Sequence, residues 1–137
     1  MGGNSLWLLK TEPDHYSYAD LERDRATVWD GVSNNAALIH IRTMRPGDLA
    51  LIYHTGDERQ AVGLAHVERG PYPDPTDPAG KRVWVDLRAA EPLAKPVSLA
   101  TLKASPAFAE SPLLRMSRLS VLPLTQAQFD EILKLGG

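Results

Sequence analysis

The segment Ser5-Leu6-Trp7-Leu8-Leu9-Lys10 is apolar on both of its alternating faces and stops short of Pro13. Residues i and i+2 of a strand share one face and i+1 takes the other, so a strand patterned this way is covered on both sides. The chain must therefore place structure on each side of its first strand. The other apolar segments are short and irregularly interleaved. Thr27-Val28-Trp29 is a β-prone stub running into the turn signal Asp30-Gly31. Leu49–Thr55 and Ala61–Arg69 read as strands of a hairpin across Gly56-Asp57-Glu58-Arg59-Gln60. Arg82–Arg88 alternates Val83, Val85 and Leu87 against Trp84 and Asp86, as a half-buried strand does, and Leu119–Leu122 reads as the final strand.

Helix signals lie between these strands. Ser17 and Asp20 have the spacing of a capping box, which predicts a short helix ending near Asp24. Asn34 caps a second helix with Ala37, Leu38, Ile41 and Met44 on one face, and Arg45-Pro46-Gly47-Asp48 ends it in a turn. Ser98 caps a helix through Lys103. Thr125 and Gln128 form a second capping box for a helix with Phe129, Ile132 and Leu133 inward and Gly136 past its end. Gly70–Gly80, with four prolines and two glycines, is expected as a long exposed loop. A doubly wound sheet needs regular βα alternation, which is missing. The pattern predicts one α+β domain over residues 1–137, a curved mixed sheet of five to six strands closing into a small barrel with short peripheral helices.

Several function classes drop out. With no cysteine, a disulfide framework and a thiolate zinc site are excluded. His15, His40, His54 and His66 are scattered, none at the i, i+4 spacing of a helical metal pair. There is no glycine-rich phosphate loop and no Gly-x-Ser-x-Gly elbow, so neither a cofactor, a metal nor a catalytic step is expected. Met1-Gly2-Gly3-Asn4-Ser5 lacks the basic start of a secretory signal, and no apolar run reaches the roughly 18–20 residues that span a bilayer. A cytoplasmic monomer without a membrane partner is expected. The net charge of −2 and pI of about 6.1 bear on partners. A grip on nucleic acid through bulk charge is not available, so any such contact needs a local basic patch beside a shaped pocket.

Trp7-Leu8-Leu9-Lys10-Thr11-Glu12-Pro13 with Tyr16-Ser17-Tyr18 and Asp20-Leu21 resembles the opening of EVE domains. Val28-Trp29-Asp30-Gly31-Val32-Ser33-Asn34 resembles the Trp-Asp-Gly-Val-Arg-Asn run of that family. Met44, Gly47-Asp48, Tyr53-His54-Thr55, Val62-Gly63, Tyr72-Pro73-Asp74, and Leu114-Arg115 through Val121 follow in the family's order, from about Ser5 to Leu133. The resemblance implies a PUA-like barrel distantly related to YTH domains. It also implies a pocket for a modified or flipped-out nucleobase, with DNA, RNA or a free nucleobase-like small molecule as partner. Ser33 stands where the family usually has arginine. A missing cation beside the pocket lowers phosphate affinity.

A base presents a flat π-face and a polar edge, so its pocket needs an aromatic wall and a few fixed polar groups. Trp29, just before the Asp30-Gly31 turn, can supply the wall, although filling the core is the commoner fate of a tryptophan. Lys10 and Thr11 follow the apolar first strand, with alternation putting Lys10 and Glu12 on one face and Thr11 on the other; the plainer role is a Lys10–Glu12 surface pair. Asn34 can read a base edge or serve only as the helix cap. Val32 and Ser33 flank it. Tyr53, His54 and Thr55 end a strand at a turn, where His54 meets either a ligand or a neighbouring loop. Tyr72 offers a second aromatic wall or packs its own loop, and Leu119 can close the pocket floor. Arg115, Ser117 and Arg118 are the candidate phosphate contacts, the alternative being solvated surface arginines. Two other functions compete with base reading. One is a small hydrolase of a modified nucleoside, as in PUA-like amidohydrolases that combine threonine, lysine and glutamate, for which Lys10, Thr11 and Glu12 are the right types. The other is a protein-interaction domain whose pocket is vestigial.

Overall fold

The computed structural model describes residues 5–137; the reading of Met1-Gly2-Gly3-Asn4 lies outside the described residues. In chain order the elements are β1 (Leu6–Thr11), α1 (Tyr18–Asp24), β2 (Ala26–Trp29), α2 (Asn35–Thr43), β3 (Leu49–His54), β4 (Gln60–Pro73) and β5 (Val83–Ser98). Then come α3 (Leu99–Lys103), a 3₁₀ turn at Pro106–Phe108, α4 (Pro112–Arg115), β6 (Val121–Leu124) and α5 (Gln126–Gly136). The helix starts follow from their caps. Ser17 and Asp20 close a reciprocal capping box, as do Thr125 and Gln128, and the Asn34 and Ser98 side chains accept from Ala37 N–H and Thr101 N–H.

The strands form one sheet in the order β2-β5-β4-β3-β1-β6. β1 runs parallel to β3, with Lys10 opposite Tyr53 and Thr11 opposite His54, and antiparallel to β6. Trp7, Leu8 and Leu9 are all buried, so both faces of β1 are covered as its pattern demanded. α2 packs against both β5 and β6, which are separated in the sheet by three other strands. One helix can touch both only if the sheet rolls around it. Register shifts along β3, β4 and β5 supply the bending. This is the α+β, PUA-like architecture expected above, and α2 presents Ala37, Leu38 and Ile41 to the rolled core.

Three local expectations change. Gly70–Pro73 is not loop: β4 continues to Pro73, with Tyr72 opposite Trp84 and Pro73 opposite Val83. The ladder tolerates Pro71 because the register shifts between Arg69 and Tyr72, so the nitrogen without a proton falls where pairing is interrupted. The remaining turn is held by the Asp77 carboxylate, which accepts from the N–H groups of Ala79, Lys81 and Arg82. Leu119 precedes the last strand, its N–H donating to Met116 O in a turn. Gly136 lies within α5, where a Cβ would stand 3.1 Å from both Leu93 Cδ1 and Lys95 O. That glycine lets the helix approach β5 closely.

Candidate nucleic-acid interface

Two cavities flank the C-terminal end of β1 and a third adjoins one of them, and together they take up part of the candidate set. The first, about 510 Å³, is lined by Thr11, His15, Tyr16, Thr27, Val28, Trp29 and Asp30. Trp29 is only 8% exposed, so most of its ring belongs to the core while the rest borders this cavity. Of the two roles weighed for it, core packing is present, and a minor part of the ring is left to line the cavity. Tyr16 meets it edge-on, with ring centroids 6.4 Å apart and planes at 80°, so the two rings form a corner. The Thr11 hydroxyl donates to Tyr16 O at 2.7 Å and the Tyr16 hydroxyl to Asp24 Oδ2 at 2.9 Å, which fixes that corner. Burial, ahead of other causes, pushes the Tyr16 hydroxyl above the usual tyrosine range, so it stays protonated and keeps donating.

The second cavity, about 370 Å³, lies on the other side of the strand end and includes Lys10, Tyr53, Thr55, Arg59, Lys103 and Ser117. Its lining has three cations and no carboxylate. Lys10 Nζ donates to Ser117 O at 3.0 Å and lies 5.8 Å from the centre of the Tyr53 ring. Burial holds the Lys10 ammonium below the ordinary lysine value. Arg59 adopts φ +47°, the left-handed region, which costs a residue with a Cβ on the order of 1 kcal/mol. Its Nε donates to Gly56 O and its carbonyl accepts from Leu99 N–H, so the turn aims the guanidinium beside the cavity. The third cavity, about 310 Å³, is lined by Asn34, Ala36, Met116, Ser117, Arg118 and Leu119. Ser117 borders both, so the second and third adjoin.

Alternation along β1 works as expected: Lys10 borders the second cavity and Thr11 the first. Glu12 stays on the Lys10 side, where its Oε2 accepts from the Thr55 hydroxyl at 3.3 Å. Asn34 does not share a cavity with Trp29, and its side-chain oxygen is engaged in capping α2. Val32 is buried and Ser33 exposed. The other candidates stand away from all three linings. His54 is buried, with Nε2 accepting from Tyr18 N–H at 3.0 Å and Nδ1 2.8 Å from Glu58 Oε1. That pattern assigns the proton to Nδ1, and the ring acts by holding the start of α1. The bond from His54 holds the Glu58 carboxyl below its ordinary value. Tyr72 donates to Asp86, packs edge-on against Trp84 and lies under Arg69, 4.4 Å from the ring centre. Burial first, then the Asp86 bond, push its hydroxyl up to about 12. Arg115 is paired with Glu110.

Sequence reasoning did not single out His15, Asp30, Arg59 or Lys103 as site residues. Tyr16 was visible only inside a motif. Asp30 was visible as half of a turn signal, while a positive φ at Arg59 has no local sequence signature.

The family profile described as EVE domain matches residues 5–135. Human thymocyte nuclear protein 1 is 31% identical over 166 residues, covering 96% of this chain and 74% of that protein. The solution structure of Rpa0253 from Rhodopseudomonas palustris superposes with a TM-score of 0.92 at 41% identity, covering 97% of this chain and 93% of the other. The crystal structure of human THYN1 protein in complex with 5-methylcytosine-containing DNA superposes with a TM-score of 0.89 at 29% identity, covering 96% and 97%. The profile match spans nearly the whole rolled sheet together with its helices, and on that basis the chain belongs to the EVE domain family.

Proposed function

We propose that this protein is a non-catalytic module that binds DNA and holds a modified base in the corner between Trp29 and Tyr16. The observation that carries the reading is the pairing of two unlike cavities across one strand end. One has aromatic walls and the other three cations without a carboxylate. A base needs the first environment and its phosphates the second. In a chain of net charge −2, the local cluster of Lys10, Arg59 and Lys103, continued by Arg118, is where a phosphate gains most. The 5-methylcytosine DNA bound by human THYN1 protein supports the same ligand class here. The hydrolase reading loses ground because Thr11 borders a different cavity from Lys10, so the three groups do not converge.

The test is a titration of labelled oligonucleotides with and without 5-methylcytosine, single-stranded and duplex, at low salt. Stacking contributes roughly 1–3 kcal/mol per base, so Trp29→Ala is expected to weaken binding about tenfold or more, and Trp29→Phe much less. Thermal melting of each variant separates this from a folding defect. Absence of binding to every DNA overturns the proposal, and preference for the matching RNA would replace its DNA half.

Lys10 adds a pH signature. Its ammonium is charged below its pKa, which burial has moved down from the ordinary lysine value. Affinity is therefore expected to be full near neutrality and to fall as pH rises toward the alkaline range. Lys10→Met should remove that dependence, lower affinity alike for all sequences and reduce the salt slope by about 1. Anisotropy titrations at two pH values and several salt concentrations check it.

A further inference from the structure

We infer that Asp30 makes the aromatic cavity selective for a base bearing an exocyclic amine, and so lets the protein tell 5-methylcytosine from thymine. The inference rests on the base-binding reading above and adds the feature of the base that is read.

The polar groups around the first cavity are unequal. The Thr11 hydroxyl proton is committed to Tyr16 O and the Tyr16 hydroxyl proton to Asp24. Asp30 is exposed, borders the cavity, and makes no hydrogen bond or ion pair among the described residues. Asp48, Asp77 and Asp86 accept hydrogen bonds and Asp20, Glu68 and Glu110 pair with arginines, whereas Asp14, Glu22, Asp57 and Glu91 share Asp30's lack of a partner among the described residues but do not line this cavity. Among the described residues the Trp29 indole N–H also has no partner, yet no fully buried side-chain nitrogen or oxygen there lacks one, so this N–H reaches solvent. The exposed His15 ring also lines the cavity with no side-chain hydrogen bond among the described residues and can donate or accept, so what sets Asp30 apart is that it is the lining's one acceptor-only side chain.

An ionised carboxylate can only accept, so whatever part of a base faces it must present N–H. The 4-amino group of a cytosine offers two protons beside a ring nitrogen. Thymine has the same outline and the same 5-methyl group, but a carbonyl oxygen at position 4. Against Asp30 that oxygen sets lone pairs against a negative charge. Its single N–H is flanked by carbonyls on both sides, which repel the carboxylate that approaches it. A site built around a hydrogen bond rejects the analogue that lacks the donor more strongly than an apolar pocket rejects a methyl group. Charge also sorts the ligand: the carboxylate keeps phosphate out of the aromatic cavity, while Lys10, Arg59 and Lys103 draw it to the other side of β1.

The experiment places 5-methylcytosine or thymine opposite an abasic position in otherwise identical duplexes, so that neither base loses pairing when it leaves the stack. Wild type is expected to prefer 5-methylcytosine by roughly tenfold. Asp30→Asn can turn its amide to donate to the thymine oxygen, so its two affinities should fall within about twofold of each other while its salt dependence is unchanged. Equal wild-type affinities, or a preference that survives in Asp30→Asn, overturn the inference. Trp29→Ala separates the two levels of the argument. If it leaves both duplexes equally well bound, the base-binding reading itself is wrong; if it weakens both while Asp30→Asn leaves the ratio alone, only the amine reading is.

Discussion

Replacing Asp48 with alanine is expected to destabilise the protein by about 3–5 kcal/mol, the largest single-residue effect on folding that we anticipate. Asp48 is 2% exposed, and its two carboxylate oxygens accept three hydrogen bonds. Oδ1 takes Ser5 N–H at 3.0 Å, and Oδ2 takes the Trp7 indole N–H and Arg45 N–H, each at 2.9 Å. One side chain therefore ties the start of β1 to the chain leaving α2. Its own backbone carbonyl accepts Val67 N–H at 2.8 Å, which adds β4 to the junction. Alanine would leave those donors facing a void, and a donor without an acceptor costs its full desolvation. Asp48→Asn should fall between the two, because its amide retains one acceptor oxygen but points N–H groups at another donor. Urea denaturation, with the slope checked for two-state behaviour, measures both. A loss below about 1 kcal/mol for the alanine variant would show that water replaces the carboxylate.

Gly63→Ala is expected to cost about 2–3 kcal/mol, through overpacking. The Tyr18 ring lies across Gly63, where an added Cβ would stand 2.3 Å from Cζ and 2.5 and 2.6 Å from the two Cε atoms. Tyr18 cannot easily step aside. It is 4% exposed, its hydroxyl donates to Leu64 O at 2.6 Å, and its N–H is held by His54. Burial raises the hydroxyl to about 12, so it remains a donor at any ordinary pH. The diagnostic is a double-mutant cycle: in a Tyr18→Ala background, the alanine at 63 should cost little. Near-additive losses would place the strain elsewhere. Because Tyr18 opens α1, two residues after the Tyr16 wall, displacement of the ring should also weaken base binding.

The two sites differ in how visible they were beforehand. Asp48 sat in a turn motif, and nothing local said that three donors from separate segments would converge on it. Gly63 sat inside a strand pattern, where a glycine marks a close approach without naming what approaches. The candidate site shows the same split. Thr11 and Trp29 do border one cavity, and the alternation that separated Lys10 from Thr11 held. His54 at a strand end and Tyr72 in an expected loop had polar or aromatic character, but the structure commits them to Tyr18, Glu58 and Asp86. Residue type shows what a side chain can bond, and only its neighbours decide what it does bond.

Features set by residues a few positions apart were legible from the sequence. The capping boxes, the doubly covered first strand, the hairpin and the division of β1 into two faces depend on dihedrals and periodicities inside one element. Family membership was legible too, because motifs in order carry it. Features set by distant residues were decided only by the fold. β4 runs past Pro71 because a shift in pairing with β5 accommodates the imide nitrogen. Lys10 meets Ser117 across 107 positions. The basic cavity gathers Lys10, Arg59 and Lys103 from β1, a turn and α3 because the sheet rolls, and the curvature of a sheet is a sum over all its ladders.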